Sequence, residues 1–135
     1  MNDSTTIKFF ILLFMIQCHV IDDYVLQGVL AKLKQKKFWQ DNAPEKLYKY
    51  DYLCALMFHA FSWTFSVLLP ITGLIVAHQL TIPLQTFIAV FISNWIIHFF
   101  VDNEKANKLT INLWCDQLIH LIQIIASWLI FICYI

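Results

Sequence analysis

The chain has 135 residues, of which 60% are hydrophobic and only 13% charged, with mean hydropathy +0.67 and zero formal net charge. A soluble domain carries about 25% charged residues, so this composition excludes an ordinary water-soluble globule. With two glycines and three prolines there is little loop, and residues 1–135 read as one membrane-embedded, all-α domain. All nine cations are lysines, eight of them within 32–49 and 105–108. The basic stretch is short and lies against the bilayer, so no nucleic-acid role follows.

Four apolar segments define a polytopic four-helix transmembrane bundle. The first, about 6–37, runs through lipid from Thr6 to Ile21 and is expected to continue as an amphipathic helix to Lys37. Its apolar part, about 16 residues at 1.5 Å each, spans roughly 24 Å against a hydrocarbon core of about 30 Å. Thinning of the bilayer or a water-filled vestibule near Asp22 is therefore expected. Lys8 and the run from Phe9 to Ile16 resemble the start of a signal peptide, but no small-residue cleavage site follows. The segment is read as a mature helix. The second helix, about 51–77, is expected to bend at Pro70 and Gly73. The third covers about 82–101, with Pro83 in its first turn, and the fourth covers about 112–135.

Lysines fill the links between helices one and two and between three and four, whereas the link around His78 has none. The positive-inside rule then places both basic loops in the cytoplasm and both termini outside. Tyr48, Tyr50, Tyr52 and Trp114 fit an aromatic belt at that interface. The run from Lys32 to Lys37 reads as an orientation signal and a contact for anionic lipid head groups. Cys18, Cys54, Cys115 and Cys133 lack metal-site spacing and are expected to pack as small buried hydrophobes.

The polar residues inside these segments carry the functional signal, because ionisable groups in lipid are costly. His19 and Asp23 (with Asp22 beside them), His98 and Asp102, and Asp116 and His120 are each four residues apart and share a helix face. His59 lies at a similar depth. Up-down-up-down threading puts all of them on one level, roughly 0–10 Å below the inner interface. Helical bundles build metal sites from such carboxylate–histidine pairs on facing helices. The expected ligands are His19, Asp23, His98, Asp102, Asp116 and His120, with Asp22, Gln27 and Gln117 completing the polar centre. A mixed nitrogen and oxygen set suits a divalent Zn, Mn or Fe ion, and the ligand count permits two metals. Asn94, Gln123, Ser62 and Ser66 read as interhelical hydrogen-bond partners.

His19-Val20-Ile21-Asp22-Asp23-Tyr24-Val25-Leu26-Gln27 resembles the opening motif H-x-x-G-D-F-x-x-Q of small bacterial and phage membrane proteins grouped as "domain of unknown function 3307". Further landmarks match in order. They are the second-helix His59, the stretch His98-Phe99-Phe100-Val101-Asp102-Asn103-Glu104-Lys105, and Asp116-Gln117-Leu118-Ile119-His120. The lysine that follows the first motif corresponds to Lys34. Asp22 departs from the pattern, standing where the family has glycine and adding a carboxylate to the centre. The resemblance supplies no activity. A looser similarity links the chain to inner-membrane proteins described as metal-dependent hydrolases.

The leading expectation is a metal-dependent hydrolase open to the cytoplasmic leaflet, acting on a membrane-associated phosphate or lipid. In it His59 serves as general base or further ligand, and Lys34 and Lys105 hold the phosphate as point charges. The alternative is a non-enzymatic interaction or scaffold protein whose polar centre fixes packing, docking a membrane partner or a second copy of itself. A proton or ion pathway is the third reading.

Overall fold

The computed structural model describes residues 3–135, with side chains from Thr5 onward, and every regular element among them is helical. Helix α1 (Asp3–Ile21) leads into a π-helical turn (Asp22–Leu26), followed by the short α2 (Leu30–Leu33) and α3 (Lys36–Asn42). Helix α4 (Asp51–Val76) runs unbroken through Pro70. Helix α5 (Leu84–Asn103) also passes into a π-helical turn (Glu104–Lys108), and α6 (Leu113–Ile132) completes the chain. The asparagine side chain of Asn112 caps α6 by accepting the Cys115 amide at 2.9 Å. Among the described residues four stretches are long and apolar enough to cross a membrane: Thr5–Leu26, Lys46–Val76, Leu84–Lys108 and Leu113–Ile132. That count is consistent with a multi-pass membrane protein.

Around the bundle, α1 packs on α4, α4 on α5, α5 on α6, and α6 back on α1. Neighbours run in opposite directions. His19 at the end of α1 meets Gln117 at the start of α6, while the Trp128 indole late in α6 donates to the Lys8 carbonyl. The interior is divided by height. Ile11, Met15, Val67, Leu68, Ile71, Val90, Ile124 and Phe131 form an apolar core away from the lysine-rich loops. Among the described residues thirteen apolar side chains are buried against eleven polar or charged ones, while Phe14, Phe58, Phe65, Ile88, Phe100, Leu118 and Leu129 face outward. An apolar exterior over an interior that is nearly half polar is the reverse of a water-soluble domain and suits a lipid solvent.

Two expectations are corrected. The first helix does not continue to Lys37. The chain breaks at Gly28, whose φ of +47° lies in the left-handed region, and again at Gln35, which is extended. These breaks fold α2 and α3 back over the basic end of the bundle, where Asn107 fastens them. Its side-chain oxygen accepts the Lys36 amide at 2.7 Å and its nitrogen donates to the Lys34 carbonyl at 3.1 Å. The cysteines are not packed inside either: all four are free, Cys18 is half-buried, and Cys54, Cys115 and Cys133 are exposed. Three of them point away from the interior, which a small apolar side chain tolerates where the surroundings are apolar.

At Gly28 the left-handed backbone is the reason for glycine, since an added Cβ would make only ordinary contact, 3.6 Å from the Leu26 carbonyl oxygen. Gly28→Ala is therefore expected to cost the left-handed strain alone, about 1–2 kcal/mol. A denaturation series in detergent reads this directly; an unchanged midpoint would mean that the break is not fixed at this residue.

Candidate metal centre

Each helix of the bundle delivers its polar residues to one level. His19, Asp22, His59, His98, Asp102, Asp116 and His120 are buried, and the Asp23 side chain is 8% exposed. The structure thus brings together all six residues read as ligands, together with His59.

Two sets of side chains have the spacing of metal ligands, Asp23–His59–His98 and His98–Asp102–His120, with ligand atoms inside each set within 4.8 Å of one another. His59 Nε2 lies 3.3 Å from Asp23 Oδ1, 3.3 Å from Asp102 Oδ2 and 3.3 Å from His98 Nε2. His120 Nε2 lies 3.4 Å from Asp102 Oδ1 and 3.4 Å from Asp116 Oδ1. These separations discriminate between two kinds of contact. A charge-assisted hydrogen bond from nitrogen to carboxylate closes to about 2.7–2.9 Å, and two such contacts nearby do close. Lys34 Nζ donates to Asp102 Oδ2 at 2.6 Å, and Lys105 Nζ to Asp116 Oδ2 at 2.6 Å. The histidine contacts stay wider. Two donors each about 2.1 Å from one tetrahedral ion stand about 3.4 Å apart, which is the spacing found.

Satisfaction of the buried atoms points the same way. Asp23 Oδ1, Asp116 Oδ1 and His120 Nε2 are buried without a hydrogen-bond partner. Buried polar atoms normally have one, and these three face the centre. The remaining cases are His59 Nδ1, His98 Nδ1 and Thr64 Oγ1.

A surrounding layer of residues aims the ligands. Gln123 donates its amide nitrogen to the Asn94 carbonyl and side-chain oxygens, so its own oxygen accepts from His120 Nδ1 at 3.0 Å. That fixes the His120 proton on Nδ1 and turns the Nε2 lone pair to the centre, the arrangement that orients metal-binding histidines. Asn94 is held in turn by donating to Ser127 Oγ at 2.7 Å. Asp22 accepts from Ser62 and Ser66 at 2.8 and 3.0 Å, and its second oxygen faces His59 Nδ1 at 3.8 Å. Gln27 Nε2, which can only donate, lies 3.1 Å from His59 Nε2, so an ion held by His59 takes the place of this contact.

His19 has a different place from the one its spacing implied. The Trp63 indole can only donate, and it donates to His19 Nδ1 at 2.8 Å. The His19 proton is therefore on Nε2, which donates to Gln117 Oε1 at 3.1 Å. Gln117 passes its own nitrogen to Asp23 Oδ2 at 3.3 Å and Asp116 Oδ2 at 3.0 Å. With both ring nitrogens engaged, His19 positions the two carboxylates through Gln117 and offers no lone pair to an ion. Trp63 escaped the sequence reading, although it follows His59 by four residues and so shares its face. It is fully buried and stacks on the His98 ring, centroids 4.2 Å apart.

A cavity of about 450 Å³ joins this centre to the surface at the lysine-rich end. Asp23, Asp102 and Gln117 form its floor, Lys34 and Lys105 its walls, and Tyr24, Leu109 and Leu113 a largely apolar mouth. It adjoins Asp23, whereas the expected vestibule lay at Asp22.

Comparison with known proteins finds no matching family model, no similar curated protein and no similar solved structure. The functional reading accordingly rests on the residues.

Proposed function

We propose that the protein is an integral membrane metal-dependent hydrolase acting on a phosphate-bearing, membrane-associated substrate from the cytoplasmic leaflet. The observation that carries it is the set of histidine–carboxylate contacts at 3.3–3.4 Å, wider than charge-assisted hydrogen bonds and containing unpartnered ligand atoms. Asp23, His59, His98, Asp102, Asp116 and His120 supply a nitrogen and oxygen set that suits zinc, manganese or iron. A bound ion of this kind acts as a Lewis acid that activates water at neutral pH and polarises a phosphoryl oxygen.

The remaining roles belong to the chain's own groups. His59 serves as a ligand rather than as a free general base, because its Nε2 is ringed by Asp23, Asp102 and His98. Lys34 and Lys105 stand between the carboxylates and the cavity mouth, where an anionic head group enters. The apolar mouth formed by Tyr24, Leu109 and Leu113 suits the attached hydrocarbon. Placing the basic loops in the cytoplasm follows the lysine distribution. Membership of the uncharacterised phage and bacterial family is part of the same proposal, carried by the three ordered motifs. A continuous ion pathway fits less well, because the described core beyond Ser127 and Thr64 is apolar.

Metal analysis of detergent-purified protein tests this reading. Wild type is expected to retain stoichiometric divalent metal, and the His98→Ala plus His120→Ala variant to lose it along with phosphate-ester hydrolysis. A wild type that binds no added metal yet is clearly more stable than the variant would turn the case toward a structural scaffold.

A further inference from the structure

The two carboxylate oxygens of Asp102 face different histidines. Oδ2 is 3.3 Å from His59 Nε2, and Oδ1 is 3.4 Å from His120 Nε2. A carboxylate serving one ion directs one oxygen, or both, toward a single point. Asp102 instead stands between two groups of candidate ligands, with Asp23 Oδ1 beyond His59 and Asp116 Oδ1 beyond His120. Unpartnered buried atoms occur on both sides: Asp23 Oδ1 on one, Asp116 Oδ1 and His120 Nε2 on the other.

The construction of the bundle repeats to match. Helices α1 and α5 each lead a His-x-x-x-Asp pair (His19 with Asp23, His98 with Asp102) into a π-helical turn, with Asp23 already inside the first turn and Asp102 at the end of α5 just before the second. Such turns favour functional sites, because the inserted residue redirects the helix face. Helices α4 and α6 each carry a histidine followed by polar residues three and seven positions on: His59, Ser62 and Ser66, then His120, Gln123 and Ser127. In both, the following polar residues belong to the network that aims that histidine or its carboxylate partner. The α1 and α4 segments thereby deliver Asp23 and His59, and α5 and α6 deliver His98, Asp102, Asp116 and an oriented His120.

We infer that the centre holds two divalent ions, one drawn to Asp23, His59 and His98 and the other to Asp116 and His120, with Asp102 bridging them. This rests on the metal-binding reading above and specifies its stoichiometry. His98 belongs with the first ion, since its Nε2 is nearer His59 than Asp102 Oδ1, at 3.3 against 3.7 Å. Two ions about 3.5–4 Å apart are the arrangement that clamps both oxygens of an in-line phosphoryl displacement. With Lys34 and Lys105 lining the cavity that leads to it, the substrate class this centre suits is a phosphoric ester or anhydride.

Full-length protein loaded with Mn²⁺ in detergent decides the question. Two manganese ions per chain and an exchange-coupled electron paramagnetic resonance signal are expected. His120→Ala and, separately, His59→Ala are expected to keep one ion each and to show an uncoupled six-line spectrum. The wild-type measurement stands by itself if a variant does not fold. One uncoupled ion in wild type would overturn the two-ion inference and leave the metal site intact; no ion at all would overturn both. Either histidine variant retaining a coupled pair would overturn the ligand assignment.

Discussion

Asp102→Asn is expected to strip the centre of metal and to destabilise the fold by about 3–5 kcal/mol, the usual result of breaking a buried ion pair from one side. The side chains of Lys34 and Asp102 are 11% and 4% exposed, so losing the carboxylate leaves an ammonium group almost enclosed without its counter-charge. The same substitution leaves one neutral oxygen where two charged ones faced His59 and His120, so the two histidines no longer share a ligating carboxylate. The two consequences separate in a double variant. Asp102→Asn with Lys34→Met is expected to recover much of the stability, because no unpaired charge remains, yet to stay metal-free. Unfolding in a denaturing detergent mixture reads the first effect and elemental analysis the second. Full metal content in Asp102→Asn would mean that this aspartate only pairs with lysine.

Trp63→Ala is expected to be comparably damaging, about 3–5 kcal/mol, through the cavity left by a fully buried indole. Trp63→Phe is the more informative change. Phenylalanine keeps most of the ring that stacks on His98 but cannot donate to His19. The abandoned Nδ1 costs about 1–3 kcal/mol as an unsatisfied buried atom. His19 is then free to move its proton to Nδ1, and Gln117 loses the bond that orients it toward Asp23 and Asp116. Metal affinity is expected to fall roughly 10- to 100-fold, the range for residues that orient ligands. A Trp63→Phe protein with unchanged affinity would show that the Trp63–His19–Gln117 relay does not reach the carboxylates.

The sequence made the four long helices legible because each is an uninterrupted apolar run of membrane-spanning length. It also showed which end would be polar, because the histidine–aspartate pairs fall beside the lysine-bearing links. What it hid depends on contacts between helices. His19 and Asp23 have the same four-residue spacing as His98 and Asp102, and nothing local separates a histidine that presents a lone pair from one spent on an indole. Trp63 looked like any aromatic residue in an apolar helix until its partner on α1 was known. The breaks after Leu26 were masked because residues 29–39 retain helical propensity, and the reversal is imposed by Gly28 and by tertiary bonds from Asn107. Cysteine burial was misjudged for a related reason. In lipid, a small apolar side chain gains little from the interior, so hydrophobicity no longer predicts which way it points.

Asn107 grips the peptide groups of residues 34 and 36 and leaves their side chains alone. The roof of the cavity is therefore tethered independently of the residue type at position 36, so long as that residue keeps its N–H. Substitutions there can change the charge on the outside of the basic end without loosening α2 and α3, a latitude denied to Lys34, whose ammonium group reaches Asp102 on the cavity floor. Surface charge at this end can thus drift in evolution while the buried polar centre stays as it is.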